Sequence, residues 1–162
     1  MSVLRCFTDG AAKSNRKDAP AGWAYYFPKQ GKCGYGNFYG TNNQAELQAV
    51  IQGLKRALKF KFMKPPIEYT SVLVITDSKY VIGIMEGNKP KTNLDLIQEL
   101  FDTRDKLHCK VGFEYVSAHT KKTDYVSSCN NVVDGLASAA AERLKKTGQT
   151  EIKHGTIKMS SK

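Results

Sequence analysis

The stretch Ser71–Thr76 constrains the fold most, because its nearly continuous apolar character is typical of a strand buried on both faces of a sheet. A second strand-like apolar run covers residues 3–8. Strands of this kind need helices packed against the faces of their sheet. The sequence therefore predicts a sheet covered by helices, in which Asp9 and Asp77 each directly follow an apolar strand.

The rest of the chain alternates strand-like runs with helical patterns. Aromatic runs at residues 22–27 and 33–39 are joined by a short polar link, which predicts an antiparallel hairpin. Apolar spacing predicts a helix that begins near Asn42 or Asn43, either of which is a credible N-cap, and further helices at 80–85, 93–107 and 132–145. Residues 111–116 form the last predicted strand. The fold class is α/β (mixed α+β), with a five-stranded mixed sheet flanked by helices.

Length and composition predict one domain. The chain has 162 residues and is 41% apolar, which is enough for one ordinary core. Residues 120–130 are polar and indicate a loop. Residues 146–162 are polar, basic and aperiodic, so we expect a mobile tail there. The predicted organisation is one folded domain over 1–145 followed by a basic tail over 146–162.

Charge and cysteine content narrow the class of protein. The net charge of +10 suggests a polyanionic partner such as nucleic acid, although a merely lysine-rich protein has the same charge. The four cysteines form no CxxC pair, which argues against a zinc site. With no secretory signal and no apolar stretch of membrane-spanning length, we expect an intracellular, reducing compartment, either cytoplasm or nucleus.

Four acidic residues lie at the ends of four predicted elements: Asp9, Glu46, Asp77 and Asp134. The first and third follow strands, whereas Glu46 and Asp134 fall in the first turns of helices. Taken singly, such residues usually belong to turns or balance a helix dipole. Functional groups of open α/β sheets gather beyond the carboxyl ends of strands. Carboxylates from distant parts of a chain suit a hard divalent metal, and two such metals cleave phosphodiesters.

The strings around these residues resemble those of type 1 ribonuclease H, in order and spacing, over about residues 3–145. They are Thr8-Asp9-Gly10, Thr41-Asn42-Asn43-Gln44-Ala45-Glu46-Leu47, Thr76-Asp77-Ser78 and Asn131-Val132-Val133-Asp134-Gly135-Leu136-Ala137. The resemblance implies a ribonuclease H-like fold and an endonuclease that hydrolyses the RNA strand of RNA–DNA hybrids. Products with 5′-phosphate and 3′-hydroxyl ends are expected from its two-metal mechanism.

The resemblance also implies roles for individual residues. Two Mg²⁺ ions, with Mn²⁺ as a substitute, are expected to bind four carboxylates: Asp9, Glu46, Asp77 and Asp134. His119 matches a histidine that assists water delivery or product release. The residues matching contacts to RNA 2′-hydroxyls are Asn15, Asn42 and Asn43. Thr41 and Asn93 match a phosphate pocket for the DNA strand, and Tyr80 matches an aromatic of the DNA channel.

Four departures from the family pattern change these expectations. The segment 83–93 is too short to hold both the additional helix and the basic protrusion of many members. We expect no hybrid-binding domain of the kind found in many eukaryotic members, and Tyr39 replaces a basic residue. His119 and Asp134 stand 15 residues apart, further than in common members. Hybrid affinity is then expected to come from basic residues elsewhere, such as residues 55–64 or the tail.

Other functions remain open at this point. A junction resolvase shares the broad fold, but the string from Thr41 to Asn43 argues against it. A non-catalytic nucleic-acid-binding module would not need all four carboxylates. An ATPase on the related actin-like fold would need a phosphate-cradling glycine loop beside Asp9. We expect an RNA–DNA hybrid as the substrate, no membrane contact, no obligate protein partner and a monomer.

Overall fold

The computed structural model describes residues 2–14, 16–117 and 124–157. Its elements, in chain order, are β1 (Val3–Ala12), β2 (Pro20–Phe27), β3 (Lys32–Tyr39), α1 (Asn42–Phe60), β4 (Ser71–Thr76), α2 (Lys79–Met85), α3 (Leu94–Lys106), β5 (Lys110–Tyr115), α4 (Tyr125–Thr147) and β6 (Ile152–Thr156). Among these residues, none of the helices is both long and apolar enough to cross a membrane.

The strands form one mixed sheet in the order β5-β4-β1-β2-β3-β6. β1 pairs in parallel with β4 and antiparallel with β2, and β4 pairs in parallel with β5. β2 and β3 form the predicted antiparallel hairpin. The predicted mixed sheet flanked by helices is confirmed, and β1 and β4 lie side by side at its centre.

Both faces of the central strands are buried, as the apolar run in β4 predicts. On one face, Cys6 and Val74 pack in a core cluster with residues of α1, α2 and α3. On the other face, Phe7 and Ile75 pack with residues of α4. Successive residues of β1 and β4 therefore point into different cores, because side chains alternate along a strand.

The predicted count of five strands is one short. β6 pairs antiparallel with β3, from Lys32 opposite Thr156 to Gly36 opposite Ile152. All five residues of β6 are exposed, so the strand has no alternating apolar pattern that a sequence could reveal. Backbone hydrogen bonding holds this edge strand within the segment that was predicted to be an aperiodic tail.

The last helix begins seven residues earlier than the predicted start at Val132. α4 starts at Tyr125, where the Asp124 side chain accepts a hydrogen bond from the Ser127 amide at 2.8 Å. The predicted loop over 120–130 is therefore helical from Tyr125 onward, and Cys129 is buried. Polar residues around a helix N-cap resemble a loop in sequence. Asp134 consequently lies in the third turn of α4 and not in its first.

Candidate active site

Asp9 and Asp77 meet at the edge where the parallel pairing of β1 and β4 ends. The last paired residues are Thr8 and Thr76, so each aspartate occupies the next position along its strand. The prediction that β1 ends at Asp9 is wrong, because its pairing with β2 continues to Ala12. Asp9 is therefore held in a continuous strand and is only 3% exposed.

Gly10 brings Glu46 to the same place. Its backbone N–H donates to Asp9 Oδ1 and to Glu46 Oε1, both at 2.9 Å. A side chain at this position would overlap the backbone of Ala45 and Glu46, so α1 approaches β1 this closely only because residue 10 is glycine. The sequence motif includes Gly10 but does not reveal this role. The available indication is that a glycine inside a strand often marks a close approach of another backbone.

The carboxylates of Asp9, Glu46 and Asp77 form what we call the carboxylate cluster. One oxygen from each lies within 4.8 Å of the others. Asp134 lines the same cleft from α4, together with Asn42 at the start of α1. The cleft has a volume of about 340 Å³. Four elements thus bring together the four acidic residues that the sequence singles out.

The carboxylate cluster is electrostatically unfavourable when it holds no cation. Burial, with the nearby charges of Glu46 and Asp77, raises the pKa of Asp9 to about 10. Burial and the charge of Asp77 likewise raise the pKa of Glu46 well above its ordinary value, against the lowering effect of the Gly10 amide. A divalent cation would relieve both effects. The all-oxygen donor set fits a hard ion such as Mg²⁺ or Mn²⁺.

The first turn of α1 is capped by Thr41, and not by Asn42 or Asn43. Thr41 Oγ1 accepts a hydrogen bond from the backbone N–H of Gln44 at 3.1 Å. The side-chain oxygen Oε1 of Gln44 accepts one from the backbone N–H of Thr41 at 2.9 Å. This reciprocal arrangement is a capping box. Asn42 and Asn43 are left exposed in the first turn, where their amides face solvent rather than cap the helix.

Hydrogen bonds link the capping box to Asn93 and Tyr80, the other two residues that are expected to contact the DNA strand. Gln44 Nε2 donates to Asn93 Oδ1 at 3.1 Å, and Asn93 Nδ2 donates to the Tyr80 hydroxyl at 3.1 Å. We call Thr41, Gln44, Asn93 and Tyr80 the amide network. Sequence reasoning assigned no role to Gln44, although the spacing Thr-x-x-Gln is a recognisable capping-box signal.

Two predicted site residues, Asn15 and His119, lie outside the described residues.

Lys89 borders an open cavity that Tyr80 also lines. The short segment after α2 folds back on that helix, with the Asn88 amide donating to the Gly83 carbonyl at 2.9 Å. This close turn agrees with the expectation that the segment 83–93 is too short for an additional helix.

The RNase H family model matches residues 1–142. The chain is 40% identical over 157 residues to ribonuclease H of Campylobacter concisus, which covers 90% of this chain and 96% of the relative. It is 34% identical over 164 residues to ribonuclease H of Caldicellulosiruptor saccharolyticus, which covers 90% and 100% respectively.

Solved structures share the fold. The N-terminal RNase H domain of rv2228c from Mycobacterium tuberculosis superimposes with a TM-score of 0.69 at 21% identity, covering 92% of this chain and 100% of that one. RNase H1 from the archaeon Halobacterium salinarum gives a TM-score of 0.60 at 23% identity, covering 87% and 98%.

Proposed function

Because this chain belongs to the RNase H family, we propose that it is an endonuclease that hydrolyses the RNA strand of RNA–DNA hybrids with two divalent metal ions. Family membership supports the hydrolase activity and the hybrid substrate. The number of ions and the products, with 5′-phosphate and 3′-hydroxyl ends, are the finer parts of the proposal. We further propose that it acts as a monomer without an obligate protein partner.

The observation that carries the proposal is the carboxylate cluster, with its three ligand oxygens within 4.8 Å of one another. Buried carboxylates repel each other and are expensive to ionise, so such a cluster is retained where a cation offsets the repulsion. Asp134 lines the same cleft, and its charge adds to the rise in the pKa of Asp9. We propose that these four residues hold the ions, with Mg²⁺ as the physiological metal.

The bound ions would activate water and stabilise the departing 3′ oxygen. The part played by the protein is to hold the ligands still. Gly10 fixes one oxygen of Asp9 and one of Glu46 through the same amide. Placement just beyond the last parallel pair of β1 and β4 fixes Asp9 beside Asp77. Ligands on a sheet and on long helices lose little freedom when a substrate binds, which favours catalysis.

Recognition of the hybrid follows from groups beside the cleft. Asn42 and Asn43 present amides that can both donate to and accept from a 2′-hydroxyl, the group that distinguishes RNA from DNA. We propose Asn15 for the same role and His119 for water delivery or product release. Thr41 and Asn93 would bind a phosphate of the DNA strand, and Tyr80 would line its channel.

The test is cleavage of four end-labelled substrates: an RNA–DNA hybrid, duplex RNA, single-stranded RNA and a DNA four-way junction. Each is incubated with Mg²⁺, with Mn²⁺ and with EDTA, and the product ends are mapped. We expect metal-dependent cutting of the hybrid's RNA strand alone. Cutting of the junction would indicate a resolvase, and binding without cutting would indicate a non-catalytic module.

A further inference from the structure

Gln44 sits between two residues that are expected to contact the DNA strand, yet it has no assigned role. We propose that Gln44 is a positioning residue that sets which way the Asn93 amide points, and so makes the pocket formed with Thr41 an anion site. The inference rests on the proposed function, because its ligand is a phosphate of the hybrid's DNA strand.

A backbone group at the start of α1 fixes the orientation of the Gln44 side-chain amide. The backbone N–H of Thr41 can only donate, so the atom of Gln44 that faces it at 2.9 Å must be the amide oxygen. The amide nitrogen of Gln44 is then the atom that faces Asn93. Since that nitrogen can only donate, it requires the carbonyl oxygen Oδ1 of Asn93, at 3.1 Å.

The orientation of the Asn93 amide in turn fixes its contact with Tyr80. With Oδ1 committed to Gln44, the nitrogen Nδ2 faces the Tyr80 hydroxyl at 3.1 Å, and that hydroxyl accepts. Each step along the amide network is thus dictated by the backbone of α1. Reversal of the Asn93 amide would place its nitrogen against the nitrogen of Gln44, so that two donors would face each other without an acceptor.

The orientation leaves donors available and uses the acceptors. Thr41 Oγ1 accepts from the backbone N–H of Gln44, so the hydroxyl proton of Thr41 remains for another partner. Asn93 Nδ2 has a second proton, and the Tyr80 hydroxyl accepts from Asn93 and so keeps its own. Thr41, Asn93 and Tyr80 therefore each retain a proton to donate, whereas the amide oxygens of Gln44 and Asn93 already accept a hydrogen bond within the network. Several donors directed at one place suit a phosphate.

Backbone geometry makes the arrangement stiff. Asn93 has φ 62° and ψ 28°, the left-handed region that asparagine tolerates better than most residues. At the other end, a side chain on Gly40 would lie 2.5 Å from Gln44 Oε1, so the chain before Thr41 closes over the Gln44 amide. Thr41, Gln44, Asn93 and Tyr80 are all partly exposed, which keeps them within reach of a ligand.

Two variants of Gln44 separate its contacts. Gln44→Met keeps the length of the side chain and removes both hydrogen-bonding groups. Gln44→Glu keeps the oxygen that caps Thr41, since glutamate also serves in a capping box, but cannot donate to Asn93. Gln52→Met is the matched control on the same helix, because the Gln52 amide contacts only Gln48 within the described hydrogen bonds.

The experiment measures binding of a hybrid in which one DNA phosphate at a time is replaced by an uncharged methylphosphonate. Affinity is measured in EDTA, and KM and kcat are measured with Mg²⁺. We expect one position at which the wild type and Gln52→Met each lose about tenfold in affinity, the size of one charge-assisted hydrogen-bonded contact. In both Gln44 variants that loss should shrink to less than about twofold, with KM raised and kcat little changed.

The outcomes are distinct. If Gln44→Met retains the full loss at the sensitive position, or if no position is sensitive in the wild type, the inference is wrong even though hybrid cleavage continues. If the wild type binds the hybrid but does not cut it, the proposed function fails while the binding scan still decides the role of Gln44. Thermal unfolding of Gln44→Glu, in which the capping box persists, checks that its effect is not a loss of fold.

Discussion

Two residues in the first turns of α1, Gln44 and Glu46, belong to neighbouring parts of the candidate site with opposite electrostatics. Glu46 lies in the carboxylate cluster, where like charges and burial raise the pKa values of Glu46 and Asp9. Gln44 lies in the amide network, where each amide group has a partner. The cluster needs a cation to offset its charge, whereas the amides of the network are held in place by hydrogen bonds within the protein. We therefore propose that one part serves chemistry and the other recognition.

The sharpest test of that contrast removes a charge from the cluster. Asp77→Asn should lower the rate of hybrid cleavage by roughly a thousandfold or more, because a metal ligand is lost where charge develops in the transition state. Binding of the hybrid in EDTA should change little, and the unfolding temperature should not fall. Asp102→Asn, an exposed α3 residue that accepts from Gln98, is the matched control. Full activity of purified Asp77→Asn protein would refute the assignment of Asp77 as a metal ligand.

A second change attacks the geometry of the cluster without altering a charge. Gly10→Ala would force the new methyl group into the backbone of Ala45 and Glu46, so β1 and α1 must separate. We expect a loss of about 3 kcal/mol in the free energy of unfolding, the upper range for overpacking a core. Urea denaturation measures it. Gly135→Ala is the control, because a methyl group there meets nothing within 4 Å. Equal stability of the two variants would contradict the close approach.

Asp77 and Gly10 also differ in how far their roles could be predicted from the sequence. The alternation of apolar runs and helical patterns was enough to predict the mixed sheet, and the motif strings were enough to select the four carboxylates. The role of Gly10 could not be predicted, because it depends on how near α1 passes to β1. β6 was missed because exposed residues held by backbone pairing leave no apolar pattern. The start of α4 was missed because its first two turns contain Ser127, Ser128, Asn130 and Asn131, which are typical of a loop in sequence.

A third test uses pH to expose the cost of burying the cluster. The pKa of Asp9 is raised from 3.8 to about 10, so the folded state loses stability, relative to the unfolded chain, as pH rises from about 4 through about 10. Without divalent metal, Asp9→Asn should therefore be more stable than the wild type at pH 7, by about 2 kcal/mol. The difference should vanish below pH 4, where the wild-type carboxyl is protonated in both states.

The measurement is urea denaturation in EDTA at pH 4, 7 and 9, repeated at pH 7 with Mg²⁺. Added Mg²⁺ should stabilise the wild type and close the gap, since a ligand that binds only the folded state raises its stability. Asp18→Asn, an exposed loop change, serves as the control. A variant that is less stable than the wild type at pH 9 would mean that the cluster is not strained in the absence of metal.

The smallest expected effect lies in the amide network. Thr41→Val keeps the shape of the side chain and removes the oxygen that caps the Gln44 amide, which should destabilise the protein by about 1 kcal/mol. Thr156→Val, on the exposed strand β6, is the matched control. Because the network needs no cation, the loss should be the same in EDTA and in Mg²⁺, unlike the effect of Asp9→Asn. A Thr41→Val loss that grows when Mg²⁺ is added would show that the two parts of the site are coupled through the first turns of α1.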